Sequence, residues 1–336
     1  MTNPLSAASA YLRAHPILCL LLLSPGIPEY ISSSSPLNAL ILNPAQFALQ
    51  IVANLGLYGP GVLLIREASI RWKKGWATIL ILGAAYGILE EGIALSTLFN
   101  PLAGPVGKLG FYGHYLGVNW VWLAGILPVH MIYSISLPIL LLGLALPETR
   151  GKSLVVSRKG ITSLLVILGA DVTALFLFVL RGEHFWMGWP IFVGSFIAIA
   201  FLILIARRVP TDLLRAKNEA PDLSPLKIGI VGALFYTSVL LVEFVGMGTG
   251  VPTLADVFLV LTVQFLFLVL IRRVIGRENN SGQLIALAAG LIAPIATIGF
   301  VAEIRLPMIL LVDCAFGIFF WKIWKKQVDI TLVQAA

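Results

Sequence analysis

The sequence predicts an all-α protein, a polytopic bundle of about ten membrane-spanning helices with both termini in the cytoplasm. Three observations predict this: a composition that is 59% hydrophobic and only 12% charged, apolar runs that recur along the chain, and basic residues clustered between them. Soluble domains are about 25% charged, so the composition is typical of a protein built for a lipid bilayer. The longest polar stretch, residues 207–227, contains three prolines and is typical of a loop, so no soluble domain is expected.

Nine apolar runs are long enough to cross about 30 Å of hydrocarbon as helices. They lie near residues 45–65, 76–98, 119–146, 161–181, 189–206, 226–248, 254–274, 283–303 and 305–322. A tenth, shorter run from Pro16 to Ser24 should end where Pro25 and Pro28 remove backbone donors. The alternative for this run is a cleaved signal peptide, because Arg13 precedes an apolar stretch of suitable length.

The basic residues alternate between connections as the positive-inside rule requires. Twenty of the 23 Lys and Arg residues fall on every second connection, and the connections between them carry only Lys108, Arg181 and Arg305. All eight tryptophans lie near predicted helix ends, where an amphipathic ring prefers the headgroup level. This distribution predicts cytoplasmic termini and a helix count of about ten.

The net charge of +7 therefore reflects membrane topology, and we expect the bilayer, not nucleic acid, as the partner. The lack of a targeting segment and of large loops is typical of a prokaryotic plasma-membrane protein. Cys19 and Cys314 lie in apolar runs without metal-binding or redox spacing, so both are expected to pack against lipid or core.

Two adjacent glutamates, Glu90 and Glu91, lie within the third apolar run. Ionisable groups at membrane depth cost at least about 2.5–3.5 kcal/mol each, so by default they mark a functional interior. Glu91 follows Gly87 and Gly83 at four-residue intervals, which predicts a stripe where another helix can approach closely. Counting from Trp76, a rise of 1.5 Å per residue places the pair roughly 21 Å across the bilayer, in its outer half.

Two neighbouring helices offer further polar residues at a similar depth. On the next helix Asn119, His130 and Ser134 share one face. The preceding helix has one polar stripe with four-residue spacing, formed by Gln46, Gln50, Asn54 and Tyr58. We expect a polar cavity in the half formed by residues 1–150, with membrane helices 1–4, while residues 151–336 supply helices 5–10 as a scaffold or second half. The candidate catalytic residues are Glu90, Glu91 and His130, and the candidate substrate-binding residues are Asn119, Gln50, Asn54, Tyr86 and Ser134.

An alternative for these polar residues is structural, because membrane bundles use buried Asn, Gln, Ser and His as hydrogen-bonding groups between helices. Two adjacent glutamates fit that role poorly, since nearby carboxylates repel each other. Carboxylates with a histidine can instead activate a water or hold a metal ion. Five other polar residues in later spans are too scattered to assemble into one site, namely Asp171, Glu243, Asp256, Gln264 and Asp313.

Three stretches of the first 150 residues resemble an uncharacterised family of prokaryotic multi-pass proteins: residues 23–30 (LSPGIPEY), 58–67 (YGPGVLLIRE) and 86–92 (YGILEEG). More distantly, Glu90-Glu91 followed by His130 one helix later is similar to the CAAX-prenyl-protease-like, or glutamic intramembrane protease, superfamily. That resemblance implies glutamates and histidine activating a water for peptide hydrolysis. The chain departs from it at Leu95 and Ile126, where the superfamily has Arg and Phe, and it lacks the later His-x-x-x-Asn/Asp.

Three hypotheses for function follow from these residues. In a membrane-embedded hydrolase, Glu90 or Glu91 would act as general base on a water held with His130, and Asn119 would orient the carbonyl of a lipid or peptide substrate. In a transporter or permease for a small molecule, the same carboxylates would bind a proton or cation. In a non-catalytic partner subunit, the polar faces would be buried at a contact. Motifs of nucleotide-driven pumps, zincins and serine hydrolases are absent from the sequence.

Overall fold

The computed structural model describes residues 11–214, 223–275, 281–305 and 308–335, and these residues form an all-α bundle. One β-hairpin of two short strands, β1 (His114–Tyr115) and β2 (Val118–Asn119), lies in a connection. Three helices contain a π-helical segment, named π1 (Gly26–Ile31), π2 (Ile88–Ala94) and π3 (His130–Ser136). The α-helices are α1 (Pro16–Pro25), α2 (Ala39–Leu42), α3 (Pro44–Arg71), α4 (Trp76–Gly87), α5 (Trp120–Val129), α6 (Leu137–Ala145), α7 (Arg158–Gly182), α8 (Trp189–Arg208), α9 (Pro225–Thr249), α10 (Thr253–Ile275), α11 (Ser281–Ala302) and α12 (Ile309–Ala335).

Eight helices of the described chain are long and apolar enough to cross a membrane, which makes this a multi-pass membrane protein. They are α3, α4 with π2, α5 with π3 and α6, and then α7 to α11. The eight correspond to the first eight predicted runs, from 45–65 to 283–303. The first helix is shorter than these eight, and the ninth predicted run, 305–322, overlaps α12 but includes residues 306 and 307, which lie outside the described residues.

The prediction that the first helix ends at Ser24 is wrong. The helix continues through Pro25 and passes directly into π1, which ends at Ile31. A π-helical turn bonds each amide to a carbonyl five residues back, so it accommodates residues that would interrupt a regular α-helix. Leu20, Ser24 and Ile27 are fully buried, so this helix is part of the core.

The three π segments lie where the first, third and fourth apolar helices meet. Each carries polar residues: Glu29 in π1, Glu90 and Glu91 in π2, and His130 and Ser134 in π3. Single π turns within α-helices are rare and occur frequently at functional sites. The fold therefore places its irregular backbone at the buried side chains of Glu90, Glu91 and His130.

Burial differs strongly among the helices that surround this place. In the span Trp76–Ala94, 72% of an 18-residue window is buried inside the protein. In Arg158–Gly182 and in Trp189–Arg208 the corresponding share is 11%. One apolar core surrounds α1, α3 and α4, and a second joins α9, α10 and α11 to α6. The helix that carries the two glutamates is thus the central helix of the first core, and α7 and α8 lie at its periphery.

Candidate active site

His130 lies between the two glutamates. Its Nε2 is 2.9 Å from Glu91 Oε1, and its Nδ1 is 3.0 Å from Glu90 Oε2. The three side chains are at most 9% exposed. One imidazole therefore has a carboxylate at each of its ring nitrogens, inside the bundle.

The glycine stripe explains how the two helices come this close. A Cβ on Gly83 would stand 2.8 Å from the Met131 Cα, and one on Gly87 would stand 3.2 Å from the His130 Cβ. Both distances are shorter than ordinary van der Waals contact, so glycine is needed at both positions. Glu91 lies on the same stripe as Gly83 and Gly87. The glycines let the neighbouring helix pack closely, so the Glu91 carboxylate contacts the imidazole of His130 on that helix.

The two glutamates differ in how their oxygens are satisfied. Glu91 accepts through both oxygens, from His130 and from the Thr97 hydroxyl. Glu90 Oε2 faces the imidazole at ion-pair distance but lacks the alignment of a hydrogen bond. The Ser134 hydroxyl, 3.2 Å from His130 Nδ1, is the group that makes the hydrogen bond at this nitrogen. Glu91 is therefore fixed by its partners, while Glu90 keeps an oxygen free to accept a proton.

A third carboxyl group, Glu29 of π1, belongs to the same neighbourhood and was missed by the sequence reasoning. Its Oε1 accepts from the Tyr58 hydroxyl at 2.6 Å and its Oε2 accepts from the Ser35 hydroxyl at 2.7 Å. The Tyr58 ring stacks beside His130, with centroids 6.5 Å apart. The signal available in the sequence was an acid directly after the Pro-Gly-Ile-Pro motif, which the expected helix end at Ser24 placed outside the bundle.

Two residues of the predicted polar stripe on α3, Asn54 and Tyr58, join the hydrogen-bond network around Glu29. The Asn54 side-chain amide donates to Ser35 Oγ at 3.0 Å, so Asn54 lies two hydrogen bonds from Glu29. Gln50 is half-buried, and its Oε1 has no hydrogen-bond partner among the described residues. The structure therefore connects Asn54 with the acid cluster and places Gln50 outside the network.

Asn119 does not reach the glutamates, and the prediction that it lines their cavity is wrong. Its Oδ1 accepts from the Trp122 amide at 2.9 Å, and its Nδ2 donates to the Leu109 carbonyl at 2.6 Å. The first contact caps α5, because an N-cap side chain satisfies an amide that the first helical turn leaves free. The second contact ties the start of α5 to the connection before it. The helix periodicity that placed Asn119 with His130 does not apply, because Asn119 precedes the helix.

Tyr86 separates the acid cluster from an apolar cavity of about 400 Å³. Its ring lies 6.0 Å from the His130 ring and packs over Gly61, where a Cβ would collide with it. Its hydroxyl is buried near the Glu90 carboxyl and makes no well-aligned hydrogen bond to any described residue. The cavity itself is lined by side chains of α3, α4, π2, α7 and α8 and is almost entirely apolar. Of the polar side chains predicted to line a cavity, Glu90, Glu91, His130 and Ser134 are instead packed against one another.

A second group of buried acids lies apart from the first, between α9 and α10. Glu243 and Asp256 are 3% and 0% exposed. Asp256 packs on Gly246, one turn after Glu243, so these two residues, which seemed scattered in the sequence, are neighbours. In the connection before α5, burial together with the nearby Asp256 carboxyl raises the pKa of Tyr112 to about 12.

The geometry of the first cluster does not favour a metal site. The glutamates approach opposite edges of the imidazole, so their oxygens and one histidine nitrogen do not converge on a point. Within the described ranges, no group of three or more His, Cys, Asp or Glu side chains is arranged to hold a metal ion. The cluster is suited to proton transfer, for which adjacent carboxylate and imidazole groups are sufficient.

Fold and site together define a class: a multi-pass helical membrane protein with buried acid–base groups on three π-helical segments. Comparison of the chain with protein-family models, curated proteins and solved structures found no match. The two resemblances drawn from the sequence therefore stay predictions.

Proposed function

We propose that the protein is a membrane-embedded hydrolase whose acid–base centre is Glu90, Glu91 and His130. The observation that carries the proposal is the approach of two carboxylates, at 3.0 and 2.9 Å, to one imidazole. A carboxylate beside an imidazole supplies both a proton acceptor and a proton donor, which hydrolysis of an acyl bond needs. Because the cluster adjoins an apolar cavity, the proposed substrate is an ester or amide held within the bilayer, in a lipid or a peptide.

The hydrogen bonds suggest a division of roles. Glu90, with a free oxygen, accepts a proton from water while the water oxygen adds to the substrate carbonyl carbon. His130 in its imidazolium form then gives a proton to the departing oxygen or nitrogen, and the proton on Glu90 returns to the imidazole. Glu91, saturated by two donors, holds the ring and stabilises its positive charge. One water is consumed and one acyl bond is cleaved.

In this proposal Tyr86, and not Asn119, is the residue that orients the substrate carbonyl. Its hydroxyl is a buried donor near the Glu90 carboxyl, at the wall of the cavity, and no described residue accepts a well-aligned hydrogen bond from it. A donor in that position can hydrogen-bond the carbonyl oxygen as negative charge develops on it. Loss of one such donor costs about 10²–10³-fold in rate, so Tyr86→Phe should slow turnover by that factor.

The test is hydrolysis by the purified protein in liposomes made from a bacterial lipid extract, with a synthetic transmembrane peptide as a second probe. Free fatty acids, lysolipids and peptide fragments are measured by mass spectrometry. Wild type should release products, and Glu90→Gln should abolish release while Glu148→Gln, a change at an exposed glutamate, leaves it intact. The proposal fails if neither probe is cleaved, or if Glu90→Gln cleaves as fast as the control.

A second candidate function, proton-coupled transport, is favoured by one specific observation. Hydrogen bonds run without a break from Asn54 through Ser35 and Glu29 to Tyr58, whose ring lies beside His130. Such a chain can pass protons to buried carboxyls. Liposomes loaded with a pH-sensitive dye would distinguish the two functions, because only transport predicts proton uptake that Glu29→Gln abolishes.

We also propose the finer topology that the basic clusters predict. In it α1 with π1 and α12 join the eight long helices to give ten spans, with both termini in the cytoplasm of a prokaryotic plasma-membrane protein. Twenty basic residues on alternate connections support this arrangement. A phosphatase reporter fused after Ala336 should be inactive in intact bacterial cells, and periplasmic activity would overturn the orientation.

A further inference from the structure

The cavity of about 400 Å³ beside Tyr86 has a depth that matches one leaflet of a bilayer. Its lining on α3 runs from Gly61 to Arg71, which at 1.5 Å per residue is roughly 15 Å. The hydrocarbon core of a bilayer is about 30 Å thick, so the cavity spans about half of it. Four long helices form its walls, α3 and α4 facing α7 and α8, and its volume lies within the range of small-molecule sites.

One end of the cavity is cationic. Arg71 lines it with 41% of its side chain exposed, and Arg207 stacks over the Trp72 ring at 5.8 Å. A tryptophan flanked by arginines is typical of the headgroup level, and the basic clusters predict that this end is cytoplasmic.

One acid, Glu67, lies at this end and offsets only part of the positive charge. Glu67 is 1% exposed and accepts from Arg66 at 3.3 Å and from the Leu154 amide at 2.8 Å. It also accepts from the Ser153 hydroxyl. Arg71 pairs with the same carboxylate, its Nε 3.7 Å from Glu67 Oε2, and donates to the Val155 carbonyl at 2.6 Å. Its side chain stays 41% exposed at the mouth, and Arg207 adds a further positive charge, so three arginines face one buried acid. The charge at the cavity mouth is therefore complementary to an anion.

We propose that this cavity binds an anionic phospholipid of the cytoplasmic leaflet. One acyl chain occupies the apolar space between the four helices, and the phosphate lies at Arg71 and Arg207. The end of the chain then reaches the Tyr86 ring, which contacts His130. This is the cavity that adjoins the acid–base centre, so a lipid bound in this way occupies the space proposed for the substrate. The inference depends only on the shape and charge of the cavity, so it stands whether or not the hydrolase proposal does. A lipid bound in this way contacts the Tyr86 ring, and through that ring it can shift the position of His130, the candidate catalytic histidine.

The experiment measures lipid retention by native mass spectrometry after exchange of the purified protein into mixed phosphatidylglycerol and phosphatidylcholine. Each basic residue near a membrane surface contributes about 1 kcal/mol to the attraction of an anionic lipid, which is about fivefold in preference. Wild type should retain phosphatidylglycerol preferentially, and Arg207→Gln should lower that preference about fivefold. Arg207 has the ring contact with Trp72 alone among the interactions described for it, so this change spares the fold.

Three further variants complete the test. Arg71→Lys keeps the charge and should keep the preference, whereas Arg181→Gln, at the opposite end of α7, should change nothing. Ala68→Phe fills the cavity and should remove the retained lipid of both kinds. The proposal is overturned if wild type retains the two lipids equally, or if Arg207→Gln cannot be distinguished from Arg181→Gln. Retention unaffected by Ala68→Phe would place the lipid elsewhere and equally overturn it.

Discussion

The two buried acidic clusters of this bundle differ in the partners that their carboxyl groups have. Glu91 and Glu29 each accept hydrogen bonds through both oxygens. Glu243 Oε1 and both oxygens of Asp256 lack a well-aligned hydrogen bond among the described residues. The Tyr112 hydroxyl lies near Asp256 but donates its proton to the Val251 carbonyl at 2.9 Å. Yet Glu243 and Asp256 are as deeply buried as Glu91.

This difference shows that burial alone does not make an acid suited to proton transfer. A buried carboxylate with neither a hydrogen-bond donor nor a cationic partner is too costly to remain charged, so it stays protonated. A buried carboxylate with an imidazole and hydroxyl donors can hold its charge and still exchange a proton. The cluster at His130 therefore has the chemistry of an active site, whereas the pair on α9 and α10 behaves as neutral, polar core.

The largest effect that this comparison predicts is at His130. The His130→Leu substitution leaves two carboxyl groups without their imidazole, and breaking a buried ion pair from one side costs about 3–5 kcal/mol. Thermal unfolding in detergent should show a correspondingly large fall in Tm. His114→Leu is the control, because His114 is half-buried and contacts one carbonyl, that of Phe99, at 3.0 Å. Equal destabilisation by the two substitutions would mean that His130 carries no charge in the folded protein.

Glu91→Gln should have the next largest effect. Hydrogen bonds to charged groups contribute about 1.5–3 kcal/mol, and the amide loses the charge while keeping the shape. We expect a loss of that size in the free energy of unfolding, measured in the same detergent. Glu148→Gln, on an exposed side chain, should stay within about 0.5 kcal/mol of wild type. A stability of Glu91→Gln equal to that of wild type would show that the carboxyl is already protonated.

Much of this bundle could be predicted from the sequence because hydrophobic length and glycine spacing are local signals. The runs near 76–98 and 119–146 correspond to helices, and the Gly83 and Gly87 stripe correctly indicated where another helix approaches Glu91. Glu29 was missed because Pro25 and Pro28 were expected to end the first helix, and a π turn carries the chain through them. Asn119 was misplaced because helical spacing was extended one residue beyond the start of α5. Both errors concern backbone irregularities, which depend on tertiary packing more than on local propensity.

The close helix approach can be tested by itself with Gly83→Ala. The new methyl group would stand 2.8 Å from the Met131 Cα, and a backbone atom cannot move aside as a flexible side chain can. Overpacking of this kind costs about 1–3 kcal/mol. Gly194→Ala on α8 is the matched control, because nothing lies within 4 Å of its added Cβ. Alanine there should stabilise the helix by about 0.5–1 kcal/mol, so the two substitutions should shift Tm in opposite directions. A shift of the same sign would contradict the packing of α4 against π3.

The smallest effect on stability should come from Asp256→Asn. This substitution is also the most direct test of the difference in charge between the two clusters. If Asp256 is protonated because it has no donors, asparagine replaces one neutral polar group by another of the same shape. The free energy of unfolding at neutral pH should then change by less than about 1 kcal/mol, in either direction. Infrared spectroscopy should show that the variant loses a carbonyl band of a protonated carboxylic acid, which Glu91→Gln should leave in place. A loss of stability as large as that of Glu91→Gln, with no change in the infrared band, would mean that Asp256 is ionised and bound to a cation. The pair on α9 and α10 would then be a second charged site.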